Sequence, residues 1–150
     1  MKVTIRGAVE AEAQQLSEIA LAAKKYWDYP EAYFRLWRDA LKITPEFIAN
    51  NDVWAAVHRG KILGFAAISI DKSVAELEHM WVLPKYTGKG IGKQLMNTVI
   101  EYCGDAGIRT LRIESDPNAR GFYEKMGARL TGFVEAKPRP RKLPVLELEF

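Results

Sequence analysis

A mixed β-sheet covered by helices, an α/β fold of the α+β type, is predicted by three features of this sequence. Apolar residues alternate with polar ones in several short runs, which suits half-buried strands. Elsewhere they return at every third or fourth position, which suits helices with one buried face. The two kinds of segment follow the order strand, helices, three strands, helix, strand, helix, two strands.

KVTIR (2–6) alternates and predicts the first strand. Leu16, Ile19, Ala20, Ala23 and Trp27 then fall on one helical stripe, which Asp28-Tyr29-Pro30 ends. A second helix is expected from about Pro30 to Leu41, carrying Phe34, Leu36, Trp37 and Leu41. Thr44-Pro45-Glu46 reads as an N-cap and first turn of a short third helix. DVWAAVH (52–58) and KILGFAAISI (61–70) are strands joined at Arg59-Gly60, a hairpin signal. VAELEHMWVL (74–83) is a third strand, closed by Pro84, which cannot donate to a ladder.

Beyond residue 90, Ile91, Leu95, Val99 and Cys103 recur at every fourth position and predict a helix with Cys103 turned inward. IRTLRIES (108–115) is a strand. DPNARGFYEKMG (116–127) is a short helix closing on Gly127. ARLTGFVEA (128–136) and LPVLELEF (143–150) are the last two strands, the C-terminal one offering an edge at which two copies could pair as a homodimer.

The chain's 150 residues suit one domain, 1–150, and no repeat or linker divides it. With 48% hydrophobic and 27% charged residues it is composed like an ordinary soluble protein. The N-terminus lacks the apolar core of a signal peptide, and no apolar run reaches spanning length, so a cytoplasmic protein with no membrane role is expected. Cys103 is the single cysteine, which excludes an internal disulfide. His58 and His79 lie far apart and form no zinc-ligand pattern, so no metal is expected. The net charge of +3 is modest for a nucleic-acid binder, and aromatic and basic residues are not interleaved as base-stacking platforms require. The basic stretch KPRPRK (137–142) reads as a solvated loop or, alternatively, an anion-binding patch.

Residues 82–93, VLPKYTGKGIGK, carry the strongest chemical signal. A triphosphatase phosphate loop is excluded, because Gln94 follows Gly92-Lys93 and Thr87 stands where the first glycine belongs. A dinucleotide fingerprint is excluded as well, since Lys93 occupies the slot of the third glycine. What stands is a strand stopped at Pro84, a turn without Cβ atoms, and a helix whose first N–H groups lack partners. Lys85, Lys89 and Lys93 add positive charge. Such an end binds phosphate or pyrophosphate.

Val82-x-Pro84 followed by K-Y-T-G-K-G-I-G resembles the acyl-CoA-binding motif [QR]-x-x-G-x-[GA] of the GCN5-related N-acetyltransferase (GNAT) family, with Lys85 at its first position. Asp116-Pro117-Asn118-Ala119-Arg120-Gly121-Phe122-Tyr123-Glu124-Lys125-Met126-Gly127 resembles the family's second signature in its Ala-x-x-Phe-Tyr-Glu-Lys core, with Asn118 directly before Ala119 and Ala128 in place of the usual Phe. The element order matches from residue 2 to residue 150. The resemblance implies one GNAT domain, a mostly antiparallel sheet of about six to seven strands, and acetyl-CoA as cosubstrate. It implies an enzyme moving an acetyl group to a primary amine of a small molecule or peptide by direct attack in a ternary complex. A non-catalytic acyl-CoA-binding sensor is the alternative.

Carried onto this sequence, the resemblance implies cofactor contacts from Trp81, Val82, Leu83, Lys85, Tyr86, Thr87, Gly88, Lys89, Gly90, Ile91, Gly92, Lys93, Asn118, Phe122 and Tyr123. The Val82 N–H would polarise the thioester carbonyl, and the backbones of Trp81 and Leu83 would pair with the pantetheine arm. Glu78, placed by simple alternation on the same side of its strand as Val82, would be the general base, with Glu76 its alternative or assistant. Tyr123 would protonate the leaving thiolate. His79, on the opposite face from Glu78, reads as a packed histidine. Trp27 and Tyr29, with Tyr26, Tyr33 and Trp37 near them, are candidates for walls of the acceptor pocket or for core residues.

Overall fold

The computed structural model describes residues 1–150. Its seven strands are β1 (Thr4–Gly7), β2 (Asp52–His58), β3 (Lys61–Asp71), β4 (Val74–Val82), β5 (Thr110–Glu114), β6 (Arg129–Glu135) and β7 (Lys142–Glu149). They form one sheet in the order β1-β2-β3-β4-β5-β7-β6. Every neighbouring pair is antiparallel except β4 and β5. Helices α1 (Ala13–Lys25), α2 (Glu31–Trp37), α3 (Pro45–Asn50), α4 (Ile91–Asp105) and α5 (Arg120–Lys125) cover it. No helix is long and apolar enough to cross a membrane.

Two cores lie on opposite faces of the sheet. Ile91, Leu95, Val99 and Cys103 of α4 are buried against Ala66, Ile68, Ala75 and Leu77. The four-residue spacing put them on one side of the helix. Leu16, Ile19 and Ala20 of α1, with Phe34 and Trp37 of α2, are buried against Ala55, Phe65 and Ala67 on the other face. Thr44 caps α3 as the sequence predicts, its hydroxyl accepting from the Phe47 N–H at 3.0 Å. The hairpin at Arg59-Gly60 has φ of +51° and +78°, the left-handed pair that a two-residue turn of this kind requires.

Several expectations need correction. Alpha-helix α1 ends at Lys25, so Trp27 leaves the buried stripe and is 45% exposed. Helix α2 ends at Trp37 rather than Leu41, and Leu36 points outward while Phe34 and Trp37 take the core. The C-terminal strand β7 is no edge, because it inserts between β5 and β6 and leaves β6 and β1 at the margins. Stretch 137–142 is not simply a solvated loop. The Trp37 indole donates to the Lys137 carbonyl, and Arg141 lies over the rings of Tyr29 and Trp37.

Two features of β4 shape the site. Its pairing with β5 covers only Val74–Glu76 against Thr110–Arg112, so the remainder of β4 runs on beside β5 without strand pairing. Its register with β3 slips between Ala67↔His79 and Ile68↔Leu77, which leaves Glu78 as an extra, unpaired residue. Glu78 is therefore a β-bulge. The faces confirm the slip: Ala75 and Leu77 before it, and Met80 and Val82 after it, all pack on the α4 side.

Candidate active site

The gap beside β4 opens into a cleft of about 620 Å³. The glycine turn and α4 bound one end of it. Glu78, His79 and Trp81 on β4, Tyr26 and Trp27 after α1, Glu114 at the end of β5 and Asp116 beyond it bound the other.

At the first end, Gly88 and Gly90 hold φ of +77° and +82°, which residues with a Cβ adopt only at a cost. A Cβ at Gly88 or Gly90 would meet no protein atom, so the space over these amides is open. Gly90 is the N-cap of α4 and supplies no side-chain cap, leaving the first-turn N–H groups for a ligand. With Lys93 on the same wall, these residues fit a pyrophosphate, the anionic part of a coenzyme A molecule. Val82, Tyr86, Thr87, Ile91, Gly92, Asn118, Phe122 and Tyr123 also line the cleft, whereas Leu83, Lys85 and Lys89 do not.

The backbone of β4 divides its duties by register. The Leu83 N–H donates to the Leu63 carbonyl at 2.8 Å, and Trp81 lies opposite Phe65. Ladder bonds alternate along an antiparallel strand, so Leu83 and Trp81 spend their backbone groups on β3. Met80 and Val82 direct theirs into the gap. The expectation that Trp81 and Leu83 pair with an extended ligand is thus displaced by one residue, while the Val82 N–H does face the cleft. Gly64 makes this possible: a Cβ there would stand 2.7 Å from the Trp81 carbonyl oxygen.

Tyr123 is 6% exposed, its ring edge-on to Phe122 at 5.2 Å. Its hydroxyl has no hydrogen-bond partner in the chain, and it lines the cleft. Burial, reinforced by the negative charge of Asp116, raises the phenol pKa far above its ordinary value, so it stays a proton donor. Glu78 departs from its expected orientation. Its exposed carboxylate accepts from the Ser69 hydroxyl at 2.8 Å, on the face of β3 that carries Phe65 and Ala67, not on Val82's side. Simple alternation fails there because of the bulge. Glu76 is held by Arg112 at 2.8 Å, a guanidinium that also binds Glu114.

His79 lies between Phe47 and Phe65, with ring centroids 5.6 and 5.7 Å away, and it also lines the cleft. Burial pushes its pKa down to about 4. Tyr26 and Trp27 meet edge to face at the cleft mouth. Tyr29 reaches the site through its hydroxyl, which bonds Asp116 at 3.0 Å, while Tyr33 and Trp37 pack beside it. Lys24, Asp116 and Arg141 are members of this polar cluster that the sequence reading missed. A lysine beside the apolar stripe of α1 was the only hint. Cys103 is buried on the inward face of α4 with its thiol pushed up to about 11, so no nucleophilic thiol is present. No group of metal-ligating side chains is assembled.

The profile of the Acetyltransferase (GNAT) family matches residues 13–128. The chain belongs to the GNAT family of acetyltransferases. Among its GNAT relatives is the peptidyl-lysine N-acetyltransferase YiaC of Escherichia coli, 33% identical over 96 residues. That match spans 63% of each chain. The peptidyl-lysine N-acetyltransferase YjaB of Salmonella typhimurium is 25% identical over 135 residues, spanning 79% of this chain and 89% of that one. A [ribosomal protein bS18]-alanine N-acetyltransferase of Haemophilus influenzae is 34% identical over 73 residues, about half of each chain. The GNAT fold is shared in full with the PaiA N-acetyltransferase of Thermoplasma acidophilum, solved in complex with coenzyme A, at a TM-score of 0.86 and 22% identity over 100% of both chains.

Proposed function

We propose that this GNAT chain is an acetyl-CoA-dependent N-acetyltransferase acting on a primary amine, by direct attack in a ternary complex. The observation that carries the reading is the convergence on one cleft of the Val82 N–H, the Tyr123 hydroxyl and the Glu78 carboxylate beside a row of α4 amides that no side chain caps. Acetyl-CoA supplies an activated acyl group as a thioester. Gly88 to Lys93 hold its pyrophosphate, with Lys85 and Lys89 adding charge from the rim, and Met80 and Val82 offer backbone groups to its extended arm.

Glu78, steadied by Ser69, takes a proton from the incoming amine directly or through one water. A lysine-like ammonium has a pKa of about 10.4, so at neutral pH this proton must be removed before nitrogen can attack. The Val82 N–H, held in place by the pairing of its neighbours Trp81 and Leu83 with β3, donates to the oxygen on which charge develops. Tyr123 holds a proton at its hydroxyl for the departing sulfur. The names of the relatives, which act on peptidyl lysine and on a ribosomal protein alanine, support a peptide or protein amine as acceptor. Trp27 and Tyr26 would receive its chain at the cleft mouth, Tyr29 acting behind them through Asp116.

A thiol-release assay with acetyl-CoA and a panel of lysine peptides, N-terminal peptides and small amines tests the proposal. Turnover that Tyr123→Phe and Glu78→Gln each reduce supports it. Tight coenzyme A binding with no release on any amine would favour the non-catalytic sensor instead.

A further inference from the structure

The Trp81 indole N–H lies 3.0 Å from His79 Nδ1. An indole nitrogen can only donate, so Nδ1 must present a lone pair, and the neutral ring then carries its proton on Nε2. Neighbouring side chains thus fix the tautomer. Nε2 bonds to nothing in the chain, yet no buried polar side-chain atom lacks a partner, so this nitrogen opens onto the cleft that His79 lines. Phe47 and Phe65 flank the ring and hold it in place. The wall beside Glu78 therefore presents one uncharged N–H donor, aimed from a strand that cannot easily move.

We propose that His79 selects the acceptor: its Nε2–H donates a hydrogen bond to a neutral oxygen of the acceptor, such as the carbonyl of an amino-acid amide or peptide, a few bonds from the reacting nitrogen. The inference rests on the transferase reading and refines its substrate class. A neutral donor has nothing to offer a second ammonium group. A free carboxylate would meet Glu78 and Asp116 on the same walls. An amide carbonyl suffers neither penalty, and an alkylamine lacking oxygen would cover the donor and leave it unpaired, which is how hydrogen-bonding sites reject such analogues.

The test compares glycinamide with propylamine as acceptors at saturating acetyl-CoA, by thiol release, for wild type, His79→Leu and His79→Gln. Each amine keeps its own solution pKa whichever enzyme is present, so the change in the ratio of kcat/KM values isolates the contact. The ratio of glycinamide to propylamine should fall roughly tenfold in His79→Leu. It should be largely retained in His79→Gln, which keeps a donor. Equal losses on both amines, or an unchanged ratio, overturn the assignment of His79 alone. Wild-type protein that releases thiol with neither amine nor any peptide overturns the transferase reading and takes this one with it. Nitrogen-15 correlation spectra of the ring give an independent check on the same protein: a Nδ1–H tautomer contradicts the proposal, and a fixed Nε2–H tautomer supports it.

Discussion

The Lys24 ammonium and the Asp116 carboxylate form an ion pair inside a ring of aromatic side chains, with only 10% and 12% of the two side chains exposed. Lys24 lies over the rings of Tyr29, Trp37 and Trp81 at 4.9, 4.4 and 6.0 Å. The pair ties the end of α1 to the turn that leads into α5 and Tyr123. Burial opposes the Asp116 charge, but hydrogen bonds from Lys24 and from the Asn118 N–H outweigh it and hold the carboxyl below the usual carboxylate range. Removing one partner strands the other. Lys24→Met should cost about 3 kcal/mol in denaturant unfolding, whereas Lys24→Met with Asp116→Leu should recover part of that loss. Equal stability of the single variant and wild type would contradict the pairing.

Gly64 offers a second check, on the backbone rather than on charge. An added methyl would lie 2.7 Å from the Trp81 carbonyl oxygen and 3.2 Å from Val82 Cα, neither of which can retreat without disturbing the ladder. Gly64→Ala should destabilise by about 1–3 kcal/mol and weaken coenzyme A binding through displaced Val82, although residue 64 itself lies outside the cleft. Thermal melting and calorimetry measure both effects.

The period-two and period-four patterns made the strands and α4 legible, because each element buries a single face and its apolar residues reveal that face. Glycines at 88, 90 and 92 announced the anion cradle for the same local reason. What the sequence concealed depends on distant partners. The bulge at Glu78 is visible only against β3, and it moved the expected face of the glutamate. Placement of β7 inside the sheet is a matter of topology that local alternation cannot encode. Lys24 and Asp116 are 92 positions apart, as are many buried pairs that only the fold brings together.

Acetyl-CoA at about 100 times its Kd should add about 2.7 kcal/mol to the stability of the wild type. Gly90→Val should abolish that gain for two reasons. Its φ of +82° is strained for a branched residue, at roughly 1–2 kcal/mol, and the new side chain would fill the open space above the α4 amides. A thermal shift in Gly90→Val equal to that of the wild type would place the cradle elsewhere.

His79 gives the fold a predictable weakness in acid. Its pKa is about 4 when folded and about 6.5 when free, so between these values the unfolded chain binds the extra proton. The neutral histidine's contribution is whole above pH 6.5 and is lost as pH falls towards 4, roughly 3 kcal/mol in all. The Asp116 carboxylate, held below its usual range, adds acid sensitivity at lower pH. Unfolding free energy measured from pH 7 to pH 4 should decline less steeply in His79→Leu than in wild type. Parallel slopes would show that the imidazole is not buried in its neutral form.

Glu78 and Tyr123 should leave different pH signatures once an acceptor is known. Arg112 already engages Glu76, while Glu78 is held only by the Ser69 hydroxyl and is free to accept a proton in the cleft. Glu78→Gln should lower the rate roughly 10²- to 10⁴-fold near neutrality. The deficit should shrink as pH rises, because more of the amine then arrives already deprotonated. Tyr123→Phe removes a donor whose buried phenol stays protonated across the accessible range, and added hydroxide cannot replace it. Its deficit should persist at every pH with coenzyme A affinity nearly unchanged. A Glu78→Gln enzyme as fast as wild type at pH 7, beside a crippled Glu76→Gln, would transfer the base to the carboxylate that Arg112 holds.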